Sequence, residues 1–78
     1  MKQETLHETV QQVLREAPFA MRQLAEESHL SYDVLRSWRS GRRRANPESA
    51  RRLAAGLAAR AEQLQAFARE LRRVSERP

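Results

Sequence analysis

The residues able to do chemistry in this 78-residue chain crowd into one stretch, Ser31 to Pro47, SYDVLRSWRSGRRRANP. From Arg36 to Arg52 there are seven arginines, at 36, 39, 42, 43, 44, 51 and 52, against one acid, Glu48. This window carries +6, while the remainder, with eight basic and nine acidic residues, sums to −1, so the net charge of +5 comes from one patch. A guanidinium group offers a planar fork of N–H donors that matches phosphate oxygens. A pI near 11.2 with the charge gathered in one place therefore favours a polyanion, nucleic acid above all, over an acidic small molecule. Other chemistry finds no support. There is no cysteine, and the two histidines, His7 and His29, lie 22 residues apart without a neighbouring ligand set. No glycine-rich phosphate loop or paired-carboxylate setting is present, so neither an enzyme nor a metal or cofactor site is expected.

A chain this short makes one domain with one modest core, burying only about 60% of its unfolded surface. Without disulfides it must stand on helix packing or on a partner subunit. No leader-like segment and no apolar run near 18 residues appears, so a cytoplasmic, nucleoid-associated protein without membrane contact is expected.

The elements that must hold the arginines are helical. Over residues 2–17 the apolar positions Leu6, Val10, Val13, Leu14 and Ala17 keep to one helix face, and Pro18 ends the run. Thr5 and Glu8 have the spacing of a capping box, and His7 is expected to be solvated. A second helix fits residues 20–28, with Leu24 and Ala25 inward, Glu26 and Glu27 outward and Phe19 packing at its start. Three residues then break the pattern before Ser31, whose hydroxyl suits the cap of a third helix with Asp33 in its first turn. On that helix Leu35 and Trp38, with Val34 beside them, face inward, and Trp38 is core rather than a base-stacking platform. Tyr32, Asp33, Arg36, Ser37 and Arg39 form the outer edge. Gly41 can end the helix left-handed, so that Arg42, Arg43 and Arg44 project from a loop whose N–H groups are also open to phosphates; the bland alternative is a solubilising run. Asn46, Pro47 and Glu48 then read as cap, N1 and first-turn acid of a fourth helix.

No further stop appears before the terminus. Leu57, Leu64 and Leu71 recur every seven residues with Ala61, Phe67, Ala68 and Val74 between them. One helix of nearly thirty residues, to about Ser75, is the favoured course over two helices bent at Gly56. Helix 1 can cover part of this seam, whereas Leu64, Phe67, Leu71 and Val74 are expected to meet a second subunit. Arg60, Arg69, Arg72, Arg73 and Arg77, interleaved with Glu62, Glu70 and Glu76, read as a solvated face.

Residues 19–57 resemble the helix-turn-helix domain of the phage-repressor and Cro type, the XRE family. The likeness rests on Leu24-Ala25, Leu30-Ser31 at the turn, inward Leu35 and Trp38, Gly41, the basic loop, Pro47, and Leu53-Ala54 followed by Leu57. It departs at Met21, where many members carry a glutamine that braces a phosphate or the recognition helix, at His29 for a turn glycine, and at Arg39 for a frequent glutamate. The resemblance implies an all-α, lambda-repressor-like helix-turn-helix bundle of four to five helices with a long C-terminal helix. Residues 1–58 would be the DNA-binding domain and 59–78 the dimer-forming helix. It further implies double-stranded DNA as partner and a homodimeric transcriptional regulator that lays residues 32–40 in the major groove. Tyr32, Asp33, Arg36 and Ser37 would then meet base edges, and Arg39, Arg42, Arg43, Arg44 and Asn46 phosphates. For Asp33, base reading and plain helix capping stand side by side. The competing functions are an antitoxin-like or adaptor module that binds a protein through the seam, and nonspecific nucleoid or RNA binding through the arginines alone.

Overall fold

A computed structural model of the chain describes residues 3–18 and 20–76, so Lys2, the packing of Phe19 and the placement of Arg77 lie outside the described residues. The described residues form four α-helices and no strand: α1 Gln3–Glu16, α2 Met21–Ser28, α3 Tyr32–Ser40 and α4 Pro47–Ser75. The backbone of Thr5 lies inside α1, two residues after its first described residue, and not at the position a capping box would need. His7 is half-buried with Nδ1 enclosed and without a protein partner, which corrects the expectation of a solvated side chain.

The helix ends follow local chemistry. Ser31 Oγ accepts from Val34 N at 3.1 Å and starts α3; Asn46 Oδ1 accepts from Ser49 N at 2.8 Å and starts α4, with Pro47 in the first turn. Each satisfies an N–H that the helix leaves without a partner. At the end of α2, His29 is left-handed (φ 57°, ψ 40°), its N–H donating to Glu26 O and that of Leu30 to Ala25 O. This closes the last turn by the paired bonds usually built on glycine. Gly41 ends α3 with the same left-handed backbone, φ 85°, and its N–H donates to Trp38 O, but the next N–H, that of Arg42, turns to Ser40 Oγ instead of completing the pair.

α1 lies on α3, while α2 packs against both α3 and α4. Between them sits one core of Val10, Leu14, Leu24, Ala25, Leu35, Trp38, Ala45 and Leu53, in which Leu35 has no exposed surface. α4 is unbroken at Gly56, and the reason glycine stands there is the crossing with α2. A Cβ on Gly56 would meet Ser28 Oγ and would sit 3.0 Å from both Ser28 N and Cα. The close approach offsets the roughly 1 kcal/mol that glycine costs inside a helix. Ser28 is itself buried, and its Oγ finds no partner among the protein atoms.

Arg60 closes an ion pair with Glu27 of α2 at 3.1 Å, and every described residue after it is exposed. At the start of the seam Leu57 lines an open groove with Val13 of α1 and with Ala17 and Pro18 just after it. The rest of α4 is an arm, and it stretches the chain to 54 × 25 × 19 Å. The radius of gyration, 15.4 Å, compares with about 11.5 Å for a compact chain of this length.

Two substitutions test this account by thermal or urea denaturation. Gly56→Ala should destabilise by about 1–3 kcal/mol despite alanine's better helix propensity, because the crossing cannot open without losing core contact; a gain in stability would refute the close approach. His29→Gly should stabilise by about 1 kcal/mol by relieving a left-handed non-glycine residue.

Candidate nucleic-acid interface

Successive residues of α3 advance by about 100° around its axis. Starting from fully buried Leu35, the arc through Trp38 and Val34 to Ser37 is covered, and the arc through Arg39, Tyr32, Arg36, Ser40 and Asp33 is open or half-open. Packing thus consumes one side of the helix and leaves a continuous polar face on the other, with Arg36 near its middle.

Ser37 is the exception to the expected outer edge. It is only 3% exposed, because the loop after Gly41 folds back over it. Arg42 Nη2 donates to Ser37 Oγ at 2.9 Å, Arg43 N donates to Ser37 O at 3.2 Å, and Ser40 Oγ donates to the same carbonyl. A hydroxyl held this way cannot present itself to a base edge, so the base-contacting role expected of Ser37 is withdrawn. Its place is that of a clamp between helix and loop. Two N–H groups of the loop are likewise engaged, since Arg42 N turns towards Ser40 Oγ at 3.4 Å; the idea that the loop backbone is free for phosphates fails at Arg42 and Arg43. Side-chain donors remain, for a guanidinium carries five N–H groups and Arg42 commits one.

Tyr32 is half-buried and packs on the core rim beside Leu30. The Arg22 guanidinium lies over its ring, 4.4 Å from the centroid, and that of Arg36 lies 5.8 Å away. Stacking of this kind contributes on the order of 0.5–1 kcal/mol at exposed sites and restrains both cations. Arg22 therefore joins the face from α2. Sequence inspection overlooked it because only the packing of α2 on α3 brings position 22 to position 32. Ser40 was overlooked too, although its spacing of seven from Asp33 places it on the same arc. Asp33 is exposed in the first turn of α3.

Arg36, Arg39, Arg42, Arg43, Arg44 and Arg51 are all exposed and have no acidic partner among the described residues; only Arg52 of the seven has one, in Glu48 at 3.5 Å. Fields from exposed charges persist over a Debye length of about 8–10 Å at physiological salt. Neighbouring guanidinium groups within that range add to one positive region with little internal compensation. The backbone carbonyl of Arg39 accepts from Gln11 Nε2 at 3.2 Å, which ties the end of α3 to α1 and steadies the point from which the loop departs.

Asn46, expected at a phosphate, spends its carbonyl oxygen on the α4 cap and keeps only its amide donors for another partner. Asn46→Asp should keep the cap and hold stability near wild type, whereas Asn46→Ala should lose about 0.5–2 kcal/mol; equal stability for both in a denaturation series would remove the capping role.

No protein-family model, curated protein or solved structure matches the chain, so what it does has to be drawn from these residues and their placement.

Proposed function

We propose that the chain is a sequence-specific double-stranded DNA-binding protein with a lambda-repressor-like helix-turn-helix, acting as a homodimeric transcriptional regulator of bacterial or phage type. The observation that carries this reading is the open arc of α3, Tyr32, Asp33, Arg36, Arg39 and Ser40, followed in the chain by the exposed arginines 42–44, which have no acidic partner among the described residues. A B-DNA major groove, about 12 Å wide, admits one α-helix, whose diameter with side chains is about 10–12 Å. In this reading α3 lies in the groove with its first turn towards the bases. Arg36 reaches the paired acceptors of a guanine, Asp33 accepts from a cytosine amino group, and Tyr32, steadied by Arg22, lines the edge. Arg39, Arg42, Arg43 and Arg44 hold the flanking phosphates, helped by the amide of Asn46. These contacts fix register and supply most of the affinity, while the few base contacts supply preference.

The second subunit is expected along the arm of α4, where Leu64, Phe67, Leu71 and Val74 stand 51–69% exposed. That same exposure favours one alternative, an antitoxin-like or adaptor module whose arm takes a different protein. A purified chain that sediments as a monomer, and becomes a stable complex only with a foreign protein, would select the alternative.

Selection of bound duplexes from a random pool should return a palindromic motif, and enrichment of no sequence would leave only nonspecific binding. With about five phosphates neutralised per subunit, log K against log salt should fall with a slope of about −4 to −5 per subunit. Arg43→Ala should weaken all duplexes alike and reduce the slope by about 1, whereas Arg36→Ala should cost about 1–3 kcal/mol on the selected sequence and relax one base position. A uniform loss from Arg36→Ala would refute its base-reading role.

A further inference from the structure

From half-buried Leu57 onward, α4 sorts its seam into two stripes when taken at about 100° per residue. One is large: Leu57, Leu64 and Leu71, bordered by Phe67 and Val74. The other is small: Ala61, Ala68 and Ser75, again seven residues apart. Leu64, Phe67, Leu71 and Val74 are 51%, 60%, 69% and 52% exposed, so nothing among the described residues covers them.

Two copies can lay these faces together in two senses. Parallel and in register, small layers meet small and leucines meet leucines. A helix separation that suits one layer then leaves a void or a clash in the next. Antiparallel, about a two-fold axis near residue 66, each layer pairs one leucine with one small residue. Leu57 meets the partner's Ser75, Ala61 meets the partner's Leu71, and Leu64 meets the partner's Ala68, while Phe67 lies beside its own copy at the axis. Alternation of large and small across the interface keeps the separation constant.

A second feature at the other end of the seam agrees. Where α4 enters the domain, Leu57 borders an open, mainly apolar groove of about 370 Å³ lined by Gln12, Val13, Glu16, Ala17 and Pro18. The antiparallel sense brings the partner's last helical turn to Leu57 and so to this groove; the parallel sense leaves it outside the interface.

We propose that the chain forms an antiparallel homodimer through residues 57–75 of α4, large stripe against small, with the C-terminal turn of each copy seated at the groove beside Leu57 of the other. The proposal rests on the reading of the seam as a dimer face and not on DNA binding. It has a geometric consequence all the same. Each domain holds α4 through Ala50, Leu53, Gly56 and Leu57, centred near residue 54. That is twelve residues from the axis, so the two domains lie about 36 Å apart at 1.5 Å per residue. Half-sites one duplex turn apart need about 34–36 Å.

The chain has no cysteine, so introduced thiols report alone. Ala61→Cys and Leu71→Cys chains of different mass, mixed in equal amounts and mildly oxidised, should give the mixed disulfide as the main covalent product. In the antiparallel pairing each introduced thiol lies about 15 Å from its own copy, outside the reach of a disulfide, whose Cα atoms sit about 4.4–6.8 Å apart. Disulfides of like with like would overturn the antiparallel sense and leave the dimer standing. A chain that sediments as a monomer would overturn both, and DNA binding by that monomer would leave the DNA-binding part of the proposed function standing without its homodimer. As an independent check, Ala61→Leu, on the exposed arm, should leave helical content unchanged by circular dichroism and weaken the dimer at least tenfold by overfilling a layer. A tighter dimer would overturn the proposal.

Discussion

Nine residues of helix do not persist alone in water, where isolated helices shorter than about 12–15 residues are marginal. α3 exists because Leu35 and Trp38 are taken fully into the core and because Ser31 and Gly41 close its two ends. Everything else in the domain serves that burial. α1 contributes Val10 and Leu14, α2 contributes Leu24 and Ala25, and Leu53 of α4 seals the floor. Large-to-small changes at such sites generally cost about 2–5 kcal/mol, a large share of what so small a domain can hold. The face that α3 turns outward is thus defined by what its other face must bury, and its polarity is free to serve a partner.

Much of this was legible in the residues themselves. The period of Leu35 and Trp38, the cap chemistry of Ser31 and Asn46 and the position of Pro47 are local signals, and each works through atoms a few residues apart. α3 and the long α4 follow from them. The same holds for the left-handed end at Gly41, where a missing Cβ is the relevant fact. The core itself could be anticipated as a set of apolar stripes, but not which stripe meets which.

What stayed hidden is what depends on folding back. Ser37 sits on α3 opposite Leu35, and by helical position alone it belongs outside. It is buried because the basic loop returns over it, a path set by Ala45 entering the core and by the bonds from Arg42 and Arg43. No periodicity encodes a loop's return. Arg22 was hidden for the same reason, since its place over Tyr32 is a property of the contact between two helices. Gly56 was visible as an anomaly in a helical pattern, but its meaning, a close crossing with Ser28, needed the neighbour.

That crossing also decides how the arm behaves. A glycine in the middle of a helix is an obvious place for a hinge, and a hinge there would let residues 57–75 swing. The backbone of Ser28 lies against Gly56 on one side, and the Arg60–Glu27 ion pair, with both side chains largely covered, fastens the next turn. Past that point the arm keeps its helix by composition, through alanine, leucine, arginine, glutamate and glutamine, the stronger helix formers, and through local pairs such as Arg73 with Glu70. A rigid rod leaving a fixed crossing carries orientation without a linker. In the proposed dimer the spacing of the two α3 faces is then set by a count of residues along one helix, and inserting or deleting a residue in the arm would change both their separation and their relative rotation at once.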